Sequence, residues 1–169
     1  MSSEKKQRSS KERLLLIACC APCSPYIIES LRNKFDITVL FYNPNIHPHQ
    51  EYQLRKMELE CYVASMGVPF VELEYDPDRW FRMTEALRHE PEGGLRCEIC
   101  FTMRVNQGCR YAIEHGFTIF TTTFALSPYK NKNVVYKVCR DLATDYGLTF
   151  FDYDFRKNDG FKTSMQMSK

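Results

Sequence analysis

From Leu14 onward, strand-sized apolar runs alternate with segments of helical periodicity, and that alternation leaves few folds open to the chain. The runs are LLLIA (14–18), ITVLFY (37–42), PFVELEY (69–75), FTIFTTT (117–123) and LTFFDY (148–153). Helical patterns occupy about 23–34, 49–66, 78–88, 98–115 and 131–146. Pro22 suits a first helical turn, and Gly67, Gly116 and Gly147 each close a helical pattern just before a strand. The expected fold class is therefore α/β: a Rossmann-like (HUP-like) parallel sheet of about five strands flanked by helices.

A chain of 169 residues fits one domain, expected over 14–169, and buries about two-thirds of its unfolded surface. Residues 1–13 carry five Lys/Arg against two Glu with almost nothing apolar, so a disordered basic tail is expected there. No apolar run approaches the roughly 20 residues of a membrane helix, and none follows the N-terminus at signal-peptide length. The expected location is the cytoplasm, with no membrane partner. The formal charge of +2 does not by itself announce a nucleic-acid binder, so any such function must come from local sites.

Eight cysteines in a chain without an export signal argue for reduced thiols used in metal or redox chemistry. Cys61 shares a helical face with Leu54, Met57 and Met66; Cys109 falls with Val105, Ala112 and Ile113; Cys139 falls with Val135, Val138, Leu142 and Ala143. Those three read as small core hydrophobes. The remaining five do not. Cys19 and Cys20 close the first strand, Cys23 completes a CxxC with Cys20, and Cys97 and Cys100 form a second CxxC opening a helix.

The C-terminal ends of parallel strands are where open α/β sheets bind ligands. Two close thiol pairs from separate segments can hold a cubane iron–sulfur cluster or a tetrahedral zinc. About a third of the domain separates the pairs, and a fifth thiol exceeds what a closed zinc site needs, which tilts the balance towards iron. Helix N-termini near Cys23 and Cys97 are expected to favour thiolates. Two alternatives stand beside this: a thioredoxin-like thiol–disulfide oxidoreductase using Cys20 and Cys23, and a zinc-binding RNA module.

Three polar constellations accompany the cysteines. YNPNIHPHQEYQLR follows a strand end and offers Asn43, Asn45, His47, Glu51 and Arg55 to a substrate; His47 and His49, in an exposed loop, are expected to be solvated rather than metal-bound. TTTFALSPYKNKN offers Ser127, Tyr129, Lys130 and Lys132 to a phosphate or ribose, or else is an N-capped helix start with surface lysines. Arg96 and Arg104 bracket the second CxxC, where they could offset thiolate charge or grip phosphates. Near the end, FRKNDG forms a turn before a new helical start.

Taken together, CCAPCSPY, YNPNIHPHQEYQLRK, GLRCEICFTMR, TTTFALSPYKN and FRKNDGFKTSMQMSK, in this order from Leu14 to Lys169, resemble the epoxyqueuosine reductase QueH family. The resemblance implies a cobalamin-independent reductase of queuosine biosynthesis. Its reaction converts the epoxide of epoxyqueuosine to queuosine at wobble position 34 of tRNAs with GUN anticodons (Asp, Asn, His and Tyr), using an electron donor the resemblance does not identify. It also implies a [4Fe-4S] cluster on Cys19, Cys20, Cys97 and Cys100, and an additional iron with Cys23 among its candidate ligands, a position where some relatives carry Asp. A flipped wobble base would meet Arg55, Arg96, Arg104, Tyr129, Lys130 and Lys132 around the opening. Family members continue to a further helix and a C-terminal CxC pair, so a truncation at Lys169 is expected.

Overall fold

The computed structural model describes residues 11–169. Five parallel strands form one sheet in the order β3-β2-β1-β4-β5: β1 (Glu12–Ala18), β2 (Phe35–Phe41), β3 (Phe70–Glu72), β4 (Ile119–Thr122) and β5 (Thr149–Phe150). The helices are α1 (Pro25–Leu31), α2 (His49–Ser65), α3 (Pro77–Thr84), α4 (Leu95–Glu114), α5 (Lys132–Tyr146) and α6 (Gly160–Met167). No described helix is long and apolar enough to cross a membrane. The Rossmann-like α/β expectation describes this architecture.

The uninterrupted LLLIA run becomes the central strand because a parallel strand covered on both faces has no polar side to present. Leu14 to Ala18 are fully buried, and each pairs with β2 in the register Leu14↔Ile37 to Ala18↔Phe41. The edge strands are shorter than the runs 69–75 and 148–153 predict. Each has a single neighbour, and Glu72, Glu74 and Asp152 punctuate these runs with charge, which keeps an edge from templating further pairing.

Several sequence expectations change. β1 starts at Glu12, so Glu12 and Arg13 belong to the sheet rather than a tail; Arg13 lies 4.1 Å over the Phe117 ring and donates to the His115 carbonyl. Lys11 donates to the Arg32 carbonyl (3.1 Å), and residues 1–10 of the expected tail lie outside the described residues. Pro25, not Pro22, occupies the first turn of α1, because Cys20 to Ser24 are spent on a turn. α2 also buries a different face from the one predicted. Tyr52, Leu59 and Val63 point inward, while Leu54 and Met57 are more than half exposed and Cys61 lies on the surface.

Glu72 at the end of β3 explains that rotation. It accepts a hydrogen bond from the Tyr52 hydroxyl (3.0 Å) and pairs with Lys56 (2.9 Å), while Tyr52 stacks on Tyr75 at 3.8 Å between centroids. A polar tip satisfied by the Glu72 carboxylate at the sheet edge lets an aromatic residue outcompete Leu54 and Met57 for the interface. Cys109 and Cys139 are buried as expected, and burial pushes the Cys109 thiol up to about 12. Gly147 ends α5 in the left-handed region (φ 67°), where its lack of a Cβ avoids strain.

α4 approaches β1 closely at Gly108, where an added Cβ would lie 2.3 Å from Cδ1 and 2.8 Å from Cγ1 of Ile17. This contact sets the distance between the helix that carries Cys97 and Cys100 and the strand that leads into Cys19. Gly108→Val is therefore expected to lower unfolding free energy by about 1–3 kcal/mol through overpacking, read as a lower urea midpoint. An unchanged midpoint would mean that α4 and β1 can separate freely.

Candidate functional site

The sheet divides at its centre. From β1 the chain moves outward through β2 to β3, then returns across the sheet to β4 beside β1 and moves outward again to β5. At such a switch point the connections leaving two neighbouring strands diverge and open a crevice at their C-terminal ends. Cys19 follows β1 there and Thr123 follows β4. The Cys19 N–H donates to Thr123 Oγ1 (3.0 Å), Thr123 Oγ1 lies 3.2 Å from Cys19 Sγ, and the Thr123 N–H donates to the Ile17 carbonyl (3.1 Å).

The next five residues turn the chain back on itself. Ser24 donates its N–H to the Ala21 carbonyl (3.1 Å) and its hydroxyl to the Cys20 carbonyl (2.8 Å). The sulfurs of Cys19, Cys20 and Cys23 consequently lie within 4.8 Å of one another, with Cys19 and Cys20 at 3.6 Å. Hydrogen bonds from Cys20 and then Cys23 hold the Cys19 thiol well below its ordinary range despite burial, and Lys130 adds to this. Cys20 is pushed up to about 12 and Cys23 is also raised, both mainly because each thiol donates to Cys19. The expected lowering of Cys23 by a helix N-terminus is thus overridden: of the three adjacent thiols, Cys19 is the one shifted towards the thiolate.

Cys97 and Cys100 lie outside that group of three, on the wall of a neighbouring cavity of about 400 Å³. Both come from the start of α4, and the Gly93 N–H donates to Cys97 Sγ at 3.3 Å. A buried polar chain connects this pair to the strand end. Asn43 donates to the Ala18 carbonyl (3.1 Å) and accepts from Arg104 Nη2, while Arg104 Nη1 lies 3.9 Å from Cys100 Sγ. The Arg104 guanidinium, only 2% exposed by residue, sits 3.9 Å over the Phe124 ring.

Soft sulfur donors in this number, with Arg104 and Lys130 placed to offset their negative charge, fit a thiolate-bound metal. A buried arginine with Nε unpartnered among the described residues is costly beside neutral thiols and sensible beside an anionic centre. The Cys19, Cys20 and Cys23 cluster is therefore a candidate metal site.

The same cavity is lined by Asn45 and His47 from the loop after β2, and by Arg96, Tyr129 and Lys130. Asn43 lies behind it, fully engaged in the buried chain. Glu51 and Arg55 do not reach it: they pair with each other at 2.7 Å on the outer face of α2. Ser127 stands outside the lining, its hydroxyl accepting from the Tyr129 N–H, and Lys132 is taken by Asp154 at 2.9 Å. The threonine hydroxyls at the end of β4 turn inward to backbone carbonyls and to Cys19, and Asn131 caps α5. His49 is exposed, its ring near Tyr52 and Tyr75.

Sequence reading missed Trp80, a half-buried wall of the cavity, and Arg156. Arg156 explains the motif FRKNDG: its guanidinium donates to the carbonyls of Ala125 (2.6 Å), Lys130 (2.6 Å) and Ser127, three points on the loop that presents Tyr129 and Lys130. From α6, Ser164 donates to the Pro22 carbonyl (2.7 Å) and accepts from the Tyr26 N–H (3.4 Å). The final segment thus ties down both loops at the site. Arg156→Ala removes charge-assisted bonds that contribute about 1.5–3 kcal/mol, so amide exchange across 125–131 is expected to accelerate while the β1 amides stay protected. Unchanged exchange in that loop would show that it is held by other means.

Comparison with known proteins bears on this arrangement. A solved structure described as a predicted subunit of tRNA methyltransferase from Methanocaldococcus jannaschii superposes with a TM-score of 0.64, covering 93% of this chain and 74% of that one; at 10% identity it speaks for the fold alone. A relative from Acinetobacter baylyi is 37% identical over 166 residues, covering 97% of this chain and 76% of the relative. One from Histophilus somni is 38% identical over 159 residues, and this chain spans 65% of its length. Both carry the name epoxyqueuosine reductase QueH, and the family model of that description matches residues 14–169. The chain belongs to the epoxyqueuosine reductase QueH family.

Proposed function

We propose that this chain is an oxidoreductase that removes the epoxide oxygen of epoxyqueuosine at the wobble position of tRNAs with GUN anticodons, forming queuosine in the cytoplasm. Family membership supports the reaction, and one observation carries it into the structure: a cluster of three thiols at the switch point stands beside a cavity walled by a second thiol pair. In this reading Cys19, Cys20, Cys97 and Cys100 hold a [4Fe-4S] cluster, and Cys23 is the catalytic cysteine and a ligand for an additional iron.

Opening an epoxide to an alkene consumes two electrons and two protons and releases the oxygen as water. Carboxylates and hydroxyls cannot supply those electrons. When bound, the iron centre supplies redox equivalents and Lewis acidity; the electrons reach it from a separate donor.

The side chains have separable tasks. Arg104, locked by Asn43 and Phe124, keeps a fixed positive charge against Cys100 at the cavity wall. Lys130 stands 5.7 Å from the Phe124 ring centroid and 5.9 Å from that of Phe101, held by the loop that Arg156 ties. With Arg96 and the 81% exposed Tyr129 it forms a rim able to meet ribose and phosphate oxygens. A wobble base must leave its stack to enter, and a cavity of about 400 Å³ accommodates a single modified base.

The reading is tested by incubating the anaerobically purified, iron-loaded chain with epoxyqueuosine-containing tRNA and a chemical reductant, then analysing nucleosides by mass spectrometry. The wild type is expected to convert epoxyqueuosine to queuosine and Cys20→Ser to abolish conversion. Lys130→Ala is expected to raise KM with kcat little changed. Full turnover by Cys20→Ser would remove the thiolate site from the reaction.

A further inference from the structure

A second cavity of about 480 Å³ adjoins the first and shares His47, Trp80 and Arg96 with it. Its own wall adds Phe81, Thr84, Glu85 and Arg88. No cysteine lines it, so the chemistry proposed above leaves it unexplained.

The wall is aromatic in a particular way. His47 lies 5.5 Å from Trp80 and 4.9 Å from Phe81 between ring centroids, and Trp80 meets Phe81 edge-on at 5.2 Å and 76°. His47 is exposed and Phe81 is 46% exposed, so open ring surface faces outward next to the catalytic opening. Two guanidiniums flank it: Arg96 donates to the Arg88 carbonyl (3.2 Å), which couples the two residues, and Arg88 itself is exposed. Glu85 is the acidic residue of the wall, outnumbered by the two arginines.

Open aromatic faces beside arginines are what unpaired nucleotides use: the base stacks on the ring, tolerant of its identity, and the phosphates take the guanidiniums. A core-forming role would instead bury Phe81. Resting on the reading that the first cavity takes the modified base, we propose that the second cavity is a stacking subsite for one nucleotide directly flanking that base. Phe81 and His47 stack its base, and Arg88 and Arg96 meet its phosphates. Gripping a neighbour helps hold the modified base out of its stack, so the subsite acts on RNA affinity more than on the chemical step.

The test uses the iron-loaded chain and labelled GUN anticodon stem-loop RNAs, one intact, one abasic on the 5′ side of the wobble position and one abasic on the 3′ side, with affinity read by fluorescence anisotropy. Wild type is expected to lose about tenfold in affinity for one of the two abasic RNAs. Phe81→Ala should bind intact RNA about tenfold more weakly and no longer distinguish it from that abasic RNA, while Phe81→Tyr restores both properties. Equal wild-type affinity for all three RNAs, or discrimination retained in Phe81→Ala, overturns the subsite while leaving the reductase reading intact. Failure of wild type to bind any of the RNAs overturns the RNA reading itself, and the subsite with it.

Discussion

The joint between Cys19 and Thr123 is the contact on which the rest of the site depends. Two parallel strands end side by side, and a threonine hydroxyl accepts the Cys19 N–H while facing its sulfur. In a regular ladder that amide would seek a carbonyl; here a side chain satisfies it, so the backbone can leave the sheet without orphaning a buried donor. Freed from the pleat, the chain turns within five residues and brings three sulfurs into one group. The fully buried apolar strand behind it makes this a rigid anchor rather than a flexible loop.

Charge placement follows from that anchor. The Cys19 thiol at the strand end is shifted towards its charged form, and the fold places nearby an arginine taken almost wholly out of water. Arg104 is tolerated there because Asn43 and Cys100 engage its guanidinium edge and Phe124 its face, a combination that lysine's point charge could not reproduce. Asn43 in turn reports to the Ala18 carbonyl, so the two cysteine-bearing segments are mechanically joined through one asparagine. The residues that look most chemical in the sequence, Asn43 and Arg104, work as the frame of the site, and the open surface is left to Tyr129, Lys130, His47 and Arg96.

How much of this was legible beforehand depends on the range of the interaction. The α/β class was legible because strand-length apolar runs and helix-ending glycines are local signals, and the sorting of Cys19, Cys20 and Cys23 from Cys109 and Cys139 used the same local information. Cys61 went wrong because the well-spaced Leu54 and Met57 on α2 lost to Tyr52 and Lys56, whose advantage is Glu72 on another element. Glu51 and Arg55 looked like substrate contacts beside the histidine loop, yet four-residue helical spacing let them pair with each other. Arg156 was invisible as a loop anchor since its three acceptors are carbonyls, which any sequence supplies. The aromatic wall of Trp80 and Phe81 forms only when α3 meets the loop of His47.

The central claim is that thiols from the strand end and from the start of α4 serve one iron–sulfur centre. Cys19, Cys20 and Cys23 already converge, and Cys100 is tethered to the same strand end through Arg104 and Asn43. Iron and acid-labile sulfide per chain, measured after anaerobic purification of wild type and of Cys100→Ser, test this most directly. The account expects about four of each in wild type, with an additional iron where the accessory site is filled, and loss of sulfide in Cys100→Ser. One zinc per chain without sulfide, or a full sulfide content in Cys100→Ser, would contradict it.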